Sequence, residues 1–127
     1  SKEERKRAME LAREKIRESK ANAIQQARRH KQQKSIASKF LPKVVKAQFN
    51  VSALLVGKSG KMVSETDREE GQRLKTALVA TDKKLRRLLI GTTEDDLDEK
   101  QCDELCSSAE AWRVRAMEII STMSLKL

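Results

Sequence analysis

Two rows of apolar residues at helical spacing constrain this chain most. Leu74, Leu78, Thr81, Leu85 and Leu88 step by 4, 3, 4 and 3. Leu105, Ala109, Trp112, Ala116, Ile120, Met123 and Leu127 step by 4, 3, 4, 4, 3 and 4, led in by Leu97 and Cys102. Such spacing keeps one face of a helix apolar over many turns, and the first row has the heptad-like seam of a coiled coil. The residues that would build an alternative fold are scarce: one Pro, four Gly, two Phe, one Trp and no Tyr among 127. A sandwich or barrel needs aromatic, β-branched strands and frequent turns, so the fold class is all-α.

Helix boundaries follow from caps and breakers. Lys2 to about Lys34 is rich in Ala, Arg, Lys, Glu and Gln, all good helix formers, with a narrow stripe of Met9, Ala12, Ile16, Ala23 and Ala27. A stripe that narrow buries little area, so this first helix is expected to project from the domain or lie on a partner. Ser35 to Val56 is denser in apolar residues, and Pro42 either starts a second helix or kinks a longer one. Gly57 stops it, and Gly57-Lys58-Ser59-Gly60 reads as a loop. For the third helix, Thr66 with Glu69 forms a capping box and Ser64 with Asp67 a rival one, while Gly91 marks the end. The fourth starts near Thr92 or Thr93, ahead of Glu94, Asp95, Asp96 and Asp98.

The resulting expectation is a three-helix antiparallel bundle of helices two to four, residues 35–127. The basic helix over 1–34 is an arm or a fourth member. Leu74, Leu78, Leu85, Leu88, Trp112, Ile120 and Phe49 are the expected core. The pattern opens mid-stripe at Ser1 and closes on an apolar position at Leu127, as in a fragment of a longer protein.

Charge is unevenly placed. Residues 1–50 hold 15 Lys+Arg against five acids, whereas the whole chain has a net charge of +9. From Ser19 to Ser64 there are ten cations and no acid. A one-sign stretch of this length repels itself and calls for an anionic partner. The expected contact residues are Lys20, Ile24, Arg28, Arg29, Lys31, Lys34, Lys39, Lys43 and Lys46, with Lys83, Lys84, Arg86 and Arg87 as a secondary basic patch.

The chemistry available is thin. The single His30 is flanked by Arg28, Arg29 and Lys31 and reads as a surface residue. The pairs Asp95/Asp96 and Asp103/Glu104 sit where acids favour a helix start. Cys102 and Cys106 are one turn apart, too few ligands for structural zinc, and read as small buried hydrophobes of a reducing compartment. The Gly57-Lys58-Ser59 triplet lacks the glycine that a phosphate loop needs at the position of Ser52, and a helix instead of a strand precedes it. No catalytic residue, metal or cofactor is therefore expected, and no enzymatic activity.

Ile24-Gln25, with Arg29 four residues after the Gln and Lys34 five further on, resembles the IQ motif. His30 stands where that motif usually has Gly, and Ile36 only approximates its closing apolar position. The resemblance covers 11 residues and implies a helix whose apolar anchor enters a calmodulin-like lobe while cations meet its acidic rim.

Together these features point to a non-enzymatic scaffold or assembly module that is intracellular, cytoplasmic or nuclear. Its basic helix would dock on an acidic protein surface: a subunit of a complex, a cytoskeletal polymer or a calmodulin-like protein. The alternative is sequence-nonspecific binding of DNA or RNA through phosphate contacts of residues 20–46, though few aromatics are present to stack on bases. No apolar run approaches the length of a membrane span, and no signal peptide is visible.

Overall fold

The computed structural model describes residues 1–91 and 96–126. Among them are four helices and no strand: α1 (Lys2–Leu55), α2 (Gly57–Met62), α3 (Glu65–Ile90) and α4 (Glu99–Lys126). The fold is all-α. None of these helices is long and apolar enough to cross a membrane. The chain divides into two compact units, Ser1–Gln33 and Lys34–Leu127.

In the first unit every residue from Ser1 to Arg29 is exposed. Met9, Leu11, Ile16 and Ile24 each leave more than half of their surface in solvent. This segment buries no face of its own, so its helicity rests on the local propensity of Ala, Arg, Lys, Glu and Gln. Near the start, the Ser1 side chain accepts a hydrogen bond from the Glu4 N–H at 3.3 Å.

The second unit holds the core. Ala37, Phe40, Val44 and Val51 of α1, Leu78, Leu85 and Leu88 of α3, and Cys102, Ala109, Trp112 and Ala116 of α4 are buried together, with Val63 and Leu97 from the links. Phe49 does not join them: it is 73% exposed. The reason is helical phase, since five residues beyond Val44 is about 140° round the helix, on the opposite side from the buried row. Phe40 fills the place expected of it. Leu74 and Ile120 are half-buried and flank the core instead of occupying its centre.

The expected break between a first and a second helix does not occur. α1 runs through Lys34 and carries Pro42 in its interior. Proline there leaves the Ser38 carbonyl without its helical donor. Both Ser38 and Pro42 are exposed, so the loss falls on the solvent side of a helix that continues past it. Replacing Pro42 with alanine restores the missing N–H at a solvent-facing position. Pro42→Ala is expected to raise stability by about 2 kcal/mol, read as a higher urea midpoint at unchanged slope.

The segment read as a loop, Gly57-Lys58-Ser59-Gly60, belongs to the short helix α2. Gly57, at φ +64°, reverses the chain after α1, a conformation that costs glycine nothing. Gly60 packs against the Leu55 backbone, and its carbonyl accepts from Arg68 Nε at 3.0 Å and Nη2 at 2.5 Å. Both glycines thus serve a corner between helices.

At the start of α3 the rival cap prevails. Ser64, not Thr66, is the N-cap, and its hydroxyl accepts from the Asp67 N–H at 3.2 Å. Gly91 ends the helix at φ +80°, with its N–H shared between the Arg87 and Leu88 carbonyls. α4 begins at Glu99, later than expected. Asp98 caps it, accepting from the Lys100 N–H at 3.0 Å through its side chain and from the Cys102 N–H at 3.1 Å through its carbonyl. Leu97 and Cys102, the two staple positions around that cap, are both buried, which explains why the helix starts here. The expected caps Thr92 and Thr93, the acids Glu94 and Asp95, and the final stripe residue Leu127 lie outside the described residues.

Candidate functional site

The expected contact residues fall in both units. Lys20, Ile24, Arg28, Arg29 and Lys31 are exposed in the first. His30 beside them, expected at the surface, is half-buried. In the second unit Lys34 is half-buried while Lys39, Lys43 and Lys46 are exposed.

Local partners divide these lysines. Lys39 Nζ pairs with Glu99 Oε1 at 2.8 Å, and that carboxylate holds the ammonium above its ordinary pKa. Lys39 and Lys43 also stand over the Phe40 ring, 5.3 Å and 5.4 Å from its centroid. Their charges thus cover the outer face of a core residue, within cation–π range. Lys43 and Lys46 border a groove of about 520 Å³ between α1 and α4, lined also by Ala47, Asn50, Cys106, Glu110 and Arg113. Across it Arg113 and Glu110 form a fork, Nη2 to Oε1 at 2.5 Å and Nε to Oε2 at 2.9 Å. The guanidinium draws the Glu110 carboxyl below its usual range, with a smaller contribution from Lys46. The groove therefore carries both signs.

The secondary patch closes the last turns of α3, where cations favour the carbonyl end of the helix dipole. Arg86 Nε pairs with Asp82 at 2.5 Å, and Arg87 Nε donates to the Lys83 carbonyl at 3.4 Å. Lys83 is exposed, and Lys84 is half-buried within electrostatic reach of the Cys102 thiol. Since Lys39 meets Glu99 and Lys84 faces Cys102, the patch shares an end of the second unit with Lys39, where α4 begins.

Sequence reasoning missed the Phe40 platform and the Glu110–Arg113 fork. The signal for Phe40 was present: Ala37, Phe40, Val44 and Val51 step by 3, 4 and 7. A Glu and an Arg three apart are also helix neighbours.

Cys102 is buried and Cys106 partly so, and neither is in a disulfide. Of the pair expected to be buried, Cys106 is the one at the edge of the core. Burial pushes both thiols above the ordinary value of 9.0, with Lys43 pulling Cys106 back and Lys84 doing the same for Cys102. The thiolate is the nucleophile, so both cysteines are poor ones at neutral pH. Iodoacetamide at pH 7 is expected to label Cys106 slowly and Cys102 more slowly still, each faster as pH rises above 9.0; peptide mass mapping reads the order. Among the described residues no group of three or more His, Cys, Asp or Glu side chains is placed to hold a metal ion.

Comparison with known proteins gives no relative: no family model, no curated protein and no solved structure matches this chain.

Proposed function

We propose that the chain is a non-enzymatic helical scaffold or assembly module whose basic N-terminal helix docks on an acidic protein surface. In this reading α1 from Lys34 onward, α3 and α4 make a three-helix antiparallel bundle that anchors the module. The observation that carries the reading is the character of the first unit. It combines exposed Arg28, Arg29 and Lys31 with Met9, Leu11, Ile16 and Ile24, each more than half exposed. Phosphates would use the cations and leave the apolar side chains in water. An acidic groove with apolar pockets uses both, as in helix-in-groove recognition. A subunit of a complex, a cytoskeletal polymer or a calmodulin-like protein offers that chemistry.

The acid-free run of ten cations favours the second reading, sequence-nonspecific DNA or RNA binding. One experiment separates the two. Partners are isolated on the full chain and on the variant R28E/R29E/K31E/K34E, with and without nuclease. Protein partners that survive nuclease and vanish with the variant are expected. Partners lost on nuclease treatment would transfer the function to nucleic acid, with affinity falling steeply in salt. Unchanged binding by the variant would show that these cations form only a solvated face. Arg28, Arg29 and Lys31 are exposed and Lys34 is half-buried at the surface. Surface charges are each worth about 1 kcal/mol or less, so the melting transition is expected to stay near its original place.

A further inference from the structure

We propose that the outward row formed by Val45, Phe49 and Val56 in the second unit is a separate docking face for an acidic amphipathic helix of another protein. These side chains are 40%, 73% and 62% exposed. Val45 and Phe49 lie four apart on the face of α1 turned away from the buried row, and exposed Ala53 continues it four further on. Val56 follows just past the helix end. From Val45 to Ala53 the spacing gives one file of apolar positions over about two turns, the footprint of a single partner helix, and Val56 adds an exposed side chain where the backbone turns extended. One exposed hydrophobe is ordinary, but an aromatic within such a file is the usual anchor of an interface.

Charge chooses the occupant. No acid occurs from Lys34 to Ser64, and the exposed residues of this stretch include Lys46, Lys58 and Lys61. Lys46 is three residues from Phe49, its neighbour on the helix surface. Its other side faces Glu110, whose carboxyl it helps to hold ionised. A second copy of this face would bring lysines against lysines, and the cationic Ser1–Gln33 segment is repelled for the same reason. An interfacial lipid-binding helix needs a broad apolar face, whereas this file is one side chain wide. A helix with apolar residues at i, i+3, i+4 and i+7 and carboxylates on its flanks matches both the file and its rim.

The test uses the full chain, isotopically labelled for NMR. The probe is a synthetic amphipathic helix with Leu at those four positions and Glu on its flanks. Shifts are expected at Val45, Lys46, Phe49, Ala53 and Val56. Phe49→Ser is expected to weaken binding about tenfold or more, as loss of a central aromatic anchor does, with an unchanged melting temperature. The same peptide with Lys in place of Glu is expected to cause no shifts. The variant R28E/R29E/K31E/K34E is expected to retain binding, which separates this face from the basic stretch over residues 28–34. The proposal is overturned by shifts that are absent or lie elsewhere, by undiminished binding to the Phe49→Ser chain, or by equal binding of the Lys peptide. It also fails if phosphatidylserine vesicles engage the same resonances, or if the face proves to be a self-association contact that Phe49→Ser abolishes.

Discussion

Trp112→Ala is expected to destabilise the second unit by about 4 kcal/mol, within the range for deleting a buried indole. The residue is 1% exposed and is the largest buried side chain of the core. Its ring joins three helices. A Cβ added to Gly71 of α3 would lie 2.8 Å from its Cε2 atom, and the same point is 2.9 Å from Leu55 Cδ2 of α1. Gly71 is therefore the gap into which the indole fits. The indole N–H also donates to the Asp67 carbonyl at 2.8 Å, one turn before that glycine. Alanine would leave a cavity where α1, α3 and α4 converge, and the surrounding backbone cannot collapse without separating them. Small domains have about 5–15 kcal/mol of stability in total, so a large share would go. Urea unfolding followed by circular dichroism measures the loss. Trp112→Phe retains most of the packing but not the hydrogen bond, and is expected to cost about 1–2 kcal/mol. Equal losses for alanine and phenylalanine would show that the hydrogen bond, not the volume, holds the joint.

The burial of Trp112 was legible because periodicity survives tertiary context: it lies mid-row on α4, and so do Ala109 and Ala116. The same reasoning placed Leu78, Leu85 and Leu88 inside. It failed at Phe49 because hydrophobicity alone was used there, and phase relative to Val44 decides the matter. The start of α4 was misplaced for a different reason. Thr92, Thr93 and Asp98 all have cap chemistry, and choosing among them requires knowing that Leu97 is buried. Pro42 left two readings open, a helix start or a place within a longer helix, and only the continuous α1 decides for the second. For the candidate site, the sequence located the cations but not their partners. Lys39 and Glu99 are 60 residues apart, and only folding brings them to 2.8 Å. The exposed file at Val45, Phe49 and Val56 became visible only when the core was seen to exclude it.

Gly60→Ala is expected to cost about 3 kcal/mol, at the upper end for overpacking. A Cβ at this position would be driven into the Leu55 carbonyl group, with the carbonyl carbon 2.8 Å away. The obstacle is backbone, so no rotamer change relieves it; α2 must move away from the end of α1. That movement would strain the Arg68 bond to the Gly60 carbonyl, which ties the corner to the first turn of α3. Gly57→Ala offers the control. Nothing lies within 4 Å of a Cβ there, and its difficulty is the φ of +64° alone. An alanine in left-handed backbone costs about 1–2 kcal/mol. Gly60→Ala is thus expected to unfold at a lower urea concentration than Gly57→Ala, both being followed by helical ellipticity. The reverse order would mean that backbone conformation, and not close approach of α1 and α2, makes this corner require glycine. The comparison also bears on function. In a phosphate loop, glycines bring backbone N–H groups to a ligand, and substitution would impair binding more than folding. Here one glycine reverses the chain and the other lets two helices touch, so the expected loss is in stability.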